Sequence, residues 1–294
     1  MSANYQQLIT TQMSAEQFIH FLPPQCPQPL APLLIYLPGM DGTGKLFRSQ
    51  APSLEQSFDV RRLSIPVDDL SDWDGMVAKI ADLIRTELGA EIPRRALYLC
   101  GESFGGCLAL KLAIAAPELC DRLILVNPAS SFKQRPWLRW GVYLNKLLPA
   151  RLYPLSCLAL MPFLTNVASV TAEDRNALLQ VMQSVRFESA VWRISLLARF
   201  DVNMQQLQQL AQPTLVISSG KDRLLPSAAE GKLLTQQIPH SSLHLIPQGG
   251  HAILLERDVD LHDILSAHGF LERKTEKNPV GLPLDALVME RIYQ

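Results

Sequence analysis

Short apolar runs recur along the chain, separated by stretches with helical periodicity. Leu33–Leu37 (LLIYL), Val60–Ile65 (VRRLSI), Leu97–Cys100 (LYLC), Leu123–Val126 (LILV), Thr214–Ser218 (TLVIS) and Leu243–Ile246 (LHLI) are six candidate strands. Most are continuous rather than alternating, as strands covered on both faces should be. Between the second and third runs, Val77, Ile80, Ala81, Ile84 and Leu88 recur at helical spacing. This predicts an amphipathic helix over Trp73–Leu88, with Lys79, Asp82 and Arg85 on its polar side. Strands alternating with helices predict an α/β protein with a doubly wound, mostly parallel sheet. The alternation stops after Asn127 and resumes at Pro213, so residues 129–200 read as an inserted helical cap. That leaves residues 1–128 and 201–270 as the core and 271–294 as a C-terminal tail.

Composition narrows the class. Of 294 residues, 48% are hydrophobic and 19% charged, which excludes a disordered chain and suits one large domain carrying an insertion. The net charge of −1 supplies no overall attraction to nucleic acid, so none is expected as a partner. Within residues 129–200, however, nine basic residues face only Glu173, Asp174 and Glu188, a local net of +6. Leu152 to Ala172 carries no charge over 21 residues, but Pro154, Pro162 and several polar side chains interrupt it, so it is not expected to span a bilayer. Five cysteines (Cys26, Cys100, Cys107, Cys120, Cys157), an odd number without a C-x-x-C pair, are read as unpaired buried thiols in the reducing cytosol. The first residues show no signal-peptide pattern.

The chemistry centres on Gly101-Glu102-Ser103-Phe104-Gly105-Gly106, which directly follows the third run and opens the helical run CLALKLAIAA. A G-x-S-x-G between strand and helix is a nucleophile elbow: a sharp turn strains the serine, and glycines on either side avoid clashes with the neighbouring strand and helix. The bland reading is a glycine-bounded turn with an incidental serine. An active serine needs a histidine to take its proton and an acid to orient that histidine. Among six histidines, His251 in Pro247-Gln248-Gly249-Gly250-His251 lies just past the last run, where glycines let the loop approach the strand ends. His20 is read as preceding the sheet, and His244, His262 and His268 as structural. His240 and His244 have H-x-x-x-H spacing but straddle a loop and a strand, so no metal site is expected. Asp222, in the loop after TLVIS, is the candidate acid, against the plainer reading of a turn or helix-capping aspartate. Its rival position at the preceding strand end reads Asn127-Pro128. The loop Pro38-Gly39-Met40-Asp41-Gly42-Thr43-Gly44 is the candidate source of a second oxyanion donor, so the N–H groups of Met40 and Phe104 would form the hole. A phosphate-binding loop is excluded there, since Lys45 is followed by Leu46.

With Ser103, Asp222 and His251 in that order, the chain from about residue 30 to 270 resembles the α/β-hydrolase superfamily. LPGMDGTGKLF, IPVDDLSDW and GESFGG are similar to the hydrolase portion of plant and cyanobacterial esterase/lipase/thioesterase proteins, the group that includes plastid phytyl ester synthases. The resemblance implies an α/β-hydrolase fold and acyl-ester or thioester substrates with long apolar chains. Those synthases also have a C-terminal acyltransferase half with an H-x-x-x-x-D motif. None of the six histidines here precedes an aspartate by five residues, so hydrolysis is the expected reaction.

In the cap, PWLRWGVYLNKLLP places Trp137, Trp140, Leu144 and Leu147 on one helical stripe. That stripe would either roof an acyl pocket or lie on a membrane, and both readings point to a small-molecule or lipid acyl substrate. The basic cap would favour peripheral membrane contact or steer an anionic acyl carrier, unless it is simply a solvated face. The expected activity is that of a serine ester hydrolase needing no metal or organic cofactor. Two alternatives remain: acyl transfer or thioester hydrolysis on the same three residues, and a ligand-binding protein with negligible turnover. The sequence carries no sign of oligomeric state.

Overall fold

The computed structural model describes residues 17–89, 94–135, 150–166 and 168–271. Trp137, Trp140, Leu144 and Leu147, and the tail beyond Leu271, lie outside the described residues. Seven strands form one sheet: β1 (His20–Leu22), β2 (Leu33–Leu37), β3 (Asp59–Ser64), β4 (Leu97–Glu102), β5 (Arg122–Val126), β6 (Thr214–Ser219) and β7 (Ser241–Ile246). Their order is β1-β3-β2-β4-β5-β6-β7. All neighbours are parallel except β1, which pairs antiparallel with β3 through His20↔Ser64 and Leu22↔Arg62. His20, expected ahead of the sheet, therefore opens its edge strand. Three half-exposed residues at an edge have no periodicity to announce them.

The sheet's period of two divides the core. Leu33, Ile35, Leu37, Leu97, Leu99, Leu123 and Leu125 face one layer, with α2 (Trp73–Leu88) and α3 (Phe104–Ala115). The intervening Leu34, Tyr36, Tyr98, Cys100, Ile124 and Val126 face the other, with α1 (Ala51–Leu54) and α9 (Leu261–Ala267). Helices on both faces are what continuous apolar strands demand. The Asp72 side chain accepts from the Gly75 N–H to start α2, and Gly89 at φ 67° ends it. Cys100, Cys107, Cys120 and Cys157 are free and buried, whereas Cys26, expected buried, is free and exposed on the proline-dense entry to β2.

Between β5 and β6 the described chain is helical: α4 (Tyr153–Leu164), α5 (Ala172–Ser184) and α6 (Phe187–Arg199), with α7 (Met204–Gln208) leading into β6 and α8 (Ser227–Gln237) following it. Helix α6 is the anchor of this insert. Its Leu196 and Leu197 join the core layer of α2 and α3. Two indoles lock the contact, Trp192 Nε1 donating to Ser71 O (2.9 Å) and Trp73 Nε1 to Leu196 O (3.2 Å). Helices α4 and α5 pack instead around Met161, Val170, Leu178 and Leu255. Among the described residues no helix is long and apolar enough to cross a membrane.

Strand β4 and helix α3 meet through glycine. A Cβ at Gly101 would fall on the Gly105 carbonyl, and one at Gly105 on the backbone carbonyl of Leu37 in β2. Backbone atoms cannot step aside as side-chain ends can, so Gly105→Ala is expected to destabilise the fold by about 3 kcal/mol or more, read as a fall in urea midpoint. A midpoint equal to wild type would mean that α3 does not approach the sheet this closely.

Candidate active site

The C-terminal ends of the parallel strands carry the candidate residues. Ser103 follows β4, Asp222 follows β6, His251 follows β7, and Met40 follows β2. Ser103 sits at φ 53°, ψ −111°, one of two described non-glycine residues with positive φ. Such a conformation costs on the order of 1–3 kcal/mol and persists only if its surroundings enforce it. The enforcement is visible: Ser103 N donates to Val126 O, and Ser103 O accepts from the N–H groups of Gly106 and Ala129, each at 3.0 Å. The hydroxyl is thereby presented at the N-terminus of α3.

The three residues proposed from sequence meet. His251 Nε2 lies 2.8 Å from Ser103 Oγ, and His251 Nδ1 lies 2.7 Å from Asp222 Oδ2. Asp222 is held by more than the imidazole. Its Oδ1 accepts from the backbone N–H of Leu224 (2.8 Å) and Leu225 (2.9 Å), and Ser227 Oγ donates to Oδ2. Asp222 is thus both a turn aspartate and the partner of His251, and the two sequence readings coincide in one side chain. Burial pushes its carboxyl up, but His251 and the hydrogen bonds from His251, Ser227 and Leu225 outweigh that and hold it below the usual carboxylate range. For His251, burial pulls the imidazole down. The Asp222 carboxylate and its hydrogen bond, with Glu102 adding to them, more than offset this, and the ring titrates above the ordinary histidine range.

Met40 follows β2, and Phe104 directly follows Ser103. Neither backbone N–H has a hydrogen-bond acceptor among the described residues. Phe104 is the first residue of α3, where a helix leaves its N–H groups free, and its ring stacks on Trp73 at 4.7 Å. Met40 lines the cavity beside Ser103. That cavity encloses about 260 Å³ and is apolar apart from Asp41, Glu102, Ser103, Tyr153 and His251. Its walls include Leu160 and Leu164 of α4, Leu178 and Met182 of α5, and Ile194 of α6. A second space of about 190 Å³ adjoins it at Met40, Tyr153 and Leu160.

Three residues that the sequence reading passed over shape the site. Asn127, noted only because it is not an acid, is fully buried at φ 40° and clamps the histidine loop. Its Nδ2 donates to Ser219 Oγ (2.8 Å), His251 O (2.7 Å) and Gly250 O (3.2 Å), while its Oδ1 accepts from Ser219 N (2.8 Å). An amide offers donor and acceptor at once, which a carboxylate does not. Glu256 Oε1 accepts from Gly250 N at 2.7 Å and braces the same loop. Glu102, the variable residue of G-x-S-x-G, points into the cavity and accepts from Tyr36 OH. Burial is the main cause that pushes its carboxyl up to about 7.

The other histidines are placed elsewhere. His244 Nδ1 is 3.0 Å from His268 Nε2, and His262 Nε2 is 3.1 Å from Ser57 Oγ. Among the described residues, Asp260, His262 and Asp263 bring ligand atoms within 4.8 Å of one another. They lie at the start of α9 rather than in the cavity, and Asp260 is already engaged as its N-cap.

Glu102 raises the His251 titration by its charge, so Glu102→Gln is expected to move the His251 midpoint to lower pH while keeping an acceptor for Tyr36. An NMR titration of the imidazole nitrogens checks both signs. Wild type should titrate above the ordinary value of about 6.5 and the variant below wild type. Coincident curves would mean that the carboxyl is too well screened to act on the ring.

The profile of the family described as serine aminopeptidase, S33, matches residues 68–258. Phytyl ester synthase 1, chloroplastic, of Arabidopsis thaliana is 30% identical over 278 residues, covering 86% of this chain. The match takes in only 39% of that synthase's length. Pimeloyl-[acyl-carrier protein] methyl ester esterase of Nitrosomonas europaea is 28% identical over 255 residues, 80% of this chain and 95% of the esterase. Among solved structures, a thermophilic esterase from Thermogutta terrifontis superposes with a TM-score of 0.71 at 19% identity, over 86% of this chain and 93% of that one. The fold is that of the α/β-hydrolases, and the chain belongs to the serine aminopeptidase S33 family of hydrolases.

Proposed function

We propose that this protein is a serine ester hydrolase acting on acyl esters or thioesters with an apolar acyl chain. The observation that carries the reading is the unbroken line Ser103–His251–Asp222 opening into an apolar cavity. Ser103 Oγ attacks the acyl carbonyl as His251 Nε2 takes its proton, and the carbonyl π pair moves onto oxygen. That oxyanion receives hydrogen bonds from the Met40 and Phe104 N–H groups and lies at the positive end of α3. Collapse of the intermediate expels the alcohol or thiol, protonated by His251, and leaves Ser103 acylated. Water, deprotonated by His251, repeats the sequence and releases the acid. Asp222 stays ionised throughout, holding the ring with Nδ1 protonated and stabilising the imidazolium.

The helices α4–α6 act in this reading as the roof of the acyl site. Leu160, Leu178, Met182 and Ile194 supply surface on which a chain loses water, and each buried methylene contributes about 0.8 kcal/mol. Acyl transfer is the second reading, favoured by the adjoining space at Met40 and Tyr153, which leaves room for an acceptor alcohol or thiol beside the acyl-enzyme. The two relatives, an ester synthase and an acyl-carrier methyl ester esterase, sit on either side of that choice.

A fluorophosphonate probe is expected to label wild-type protein at Ser103 and to leave Ser103→Ala unlabelled with its circular dichroism unchanged. His251→Ala should lose nearly as much esterase activity as Ser103→Ala, and the double variant little more, because such residues act as a unit. Labelling that survives in Ser103→Ala, or turnover limited to one equivalent, would sink the hydrolase reading.

A p-nitrophenyl ester series should show kcat/KM rising about fourfold per added carbon until the cavity is full. Leu160→Trp, which fills part of that space, should bring the plateau to shorter chains without altering probe labelling. A flat series in both proteins would place the acyl chain elsewhere.

A further inference from the structure

The insert reaches into the loop that carries Met40. Arg193, on α6, is 1% exposed, although a basic residue of a helical insert is ordinarily expected in solvent. Its hydrogen bonds among the described residues go to backbone carbonyls. Nη1 donates to Met40 O (2.9 Å) and Asp41 O (3.0 Å), and Nη2 to Pro66 O (2.8 Å). Arginine keeps its charge when buried, so these carbonyls, together with the charges of Asp41 and Asp69, offset its loss of water. The Asp41 carboxylate makes no hydrogen bond to the guanidinium, its Oδ2 accepting from Thr43 N and Thr43 Oγ1, but its charge still acts on Arg193.

A second feature shows that the contact is built into the loop. Gly42 has φ +75°, and a Cβ there would meet Nη1 at 2.7 Å and Cζ at 3.1 Å. Only glycine lets the guanidinium lie flat against this backbone. Met40 is thus gripped from behind: its carbonyl is bound to Arg193, while its N–H has no acceptor among the described residues and the residue lines the cavity.

We propose that Arg193 is a positioning residue of the oxyanion hole, holding the Met40 N–H on the cavity by binding the carbonyls of Met40 and Asp41. The proposal rests on the reading of Met40 as an oxyanion donor. Docking of α6 on the core and completion of the hole are then one event, because the group that orders the loop belongs to the insert. The guanidinium never touches substrate. It acts by keeping the loop in place as the carbonyl carbon becomes tetrahedral and charge gathers on oxygen, and its own positive charge lies behind the loop where that charge develops.

The test compares an oxygen ester with its thionoester, C=S in place of C=O, on the same acyl chain. Sulfur is larger and a weaker acceptor, so a well-placed hole favours the oxygen ester and a displaced one favours it less. The ratio of the two rates does not depend on how much enzyme is folded. Arg193→Met is expected to lower kcat for the oxygen ester by about 10- to 100-fold, less than the roughly 100- to 1000-fold seen when an oxyanion donor itself is removed. KM should stay close to wild type, and the ester-to-thionoester ratio should fall severalfold. Arg193→Lys, which keeps one charged donor, should recover part of the rate and of the ratio, and serves alone if the methionine variant does not fold. Equal losses on both esters, with the wild-type ratio retained, would make Arg193 a packing residue and overturn the proposal while leaving Ser103 as nucleophile. A wild-type protein that the fluorophosphonate does not label would overturn both.

Discussion

The site depends on how closely α3 can approach the sheet. With Gly101 and Gly105 at the contact, strand, turn and helix are packed backbone to backbone, and the turn is tight enough to force Ser103 to φ 53°. The strain is sustained by four backbone hydrogen bonds on Ser103 and by the core layer in which Phe104, Cys107 and Leu108 are fully buried. Everything downstream is geometry relative to this serine. The hydroxyl is exposed because the turn is sharp, and the free N–H of Phe104 is adjacent because a helix begins there.

Electrostatics complete what the turn begins. His251 is 4% exposed, and an imidazole so deeply placed would ordinarily lose basicity. Asp222 reverses that because its charge is itself secured by two backbone N–H groups and Ser227. The low dielectric that penalises an unpartnered charge strengthens one that is well met. Asn127 and Glu256 then hold the loop that carries the imidazole through its backbone, at His251 O, Gly250 O and Gly250 N. The loop is therefore placed by Asn127 and Glu256, while Asp222 both orients the ring and raises its basicity.

The insert contributes two things of different kind. Helices α4 and α5 offer apolar surface, with a small cluster of their own around Met161 and Leu178. Helix α6 offers attachment, through two indole hydrogen bonds and the guanidinium of Arg193. Apolar surface tolerates variation in shape, whereas a loop bound through its carbonyls does not, and α6 carries both kinds of contact, with Ile194 on the cavity and Arg193 on the loop.

Much of this was legible in the chain itself. Continuous apolar runs specify buried parallel strands, the repeat from Val77 to Leu88 marks the buried face of α2, and Gly-x-Ser-x-Gly between strand and helix marks Ser103 without coordinates. His251 and Asp222 followed because strand ends in a parallel sheet share one edge. These are local or periodic signals, and local signals survive in one dimension. What only the tertiary structure decided are contacts between distant residues with no pattern of their own: the three-residue edge strand His20–Leu22, the amide of Asn127 at the histidine loop, and Arg193 beneath Met40, 153 residues away in sequence. Arg193 is the sharpest case. In the sequence it is one of nine basic residues in a helical stretch, and nothing distinguishes it from its neighbours until the fold removes its water and supplies carbonyls in their place.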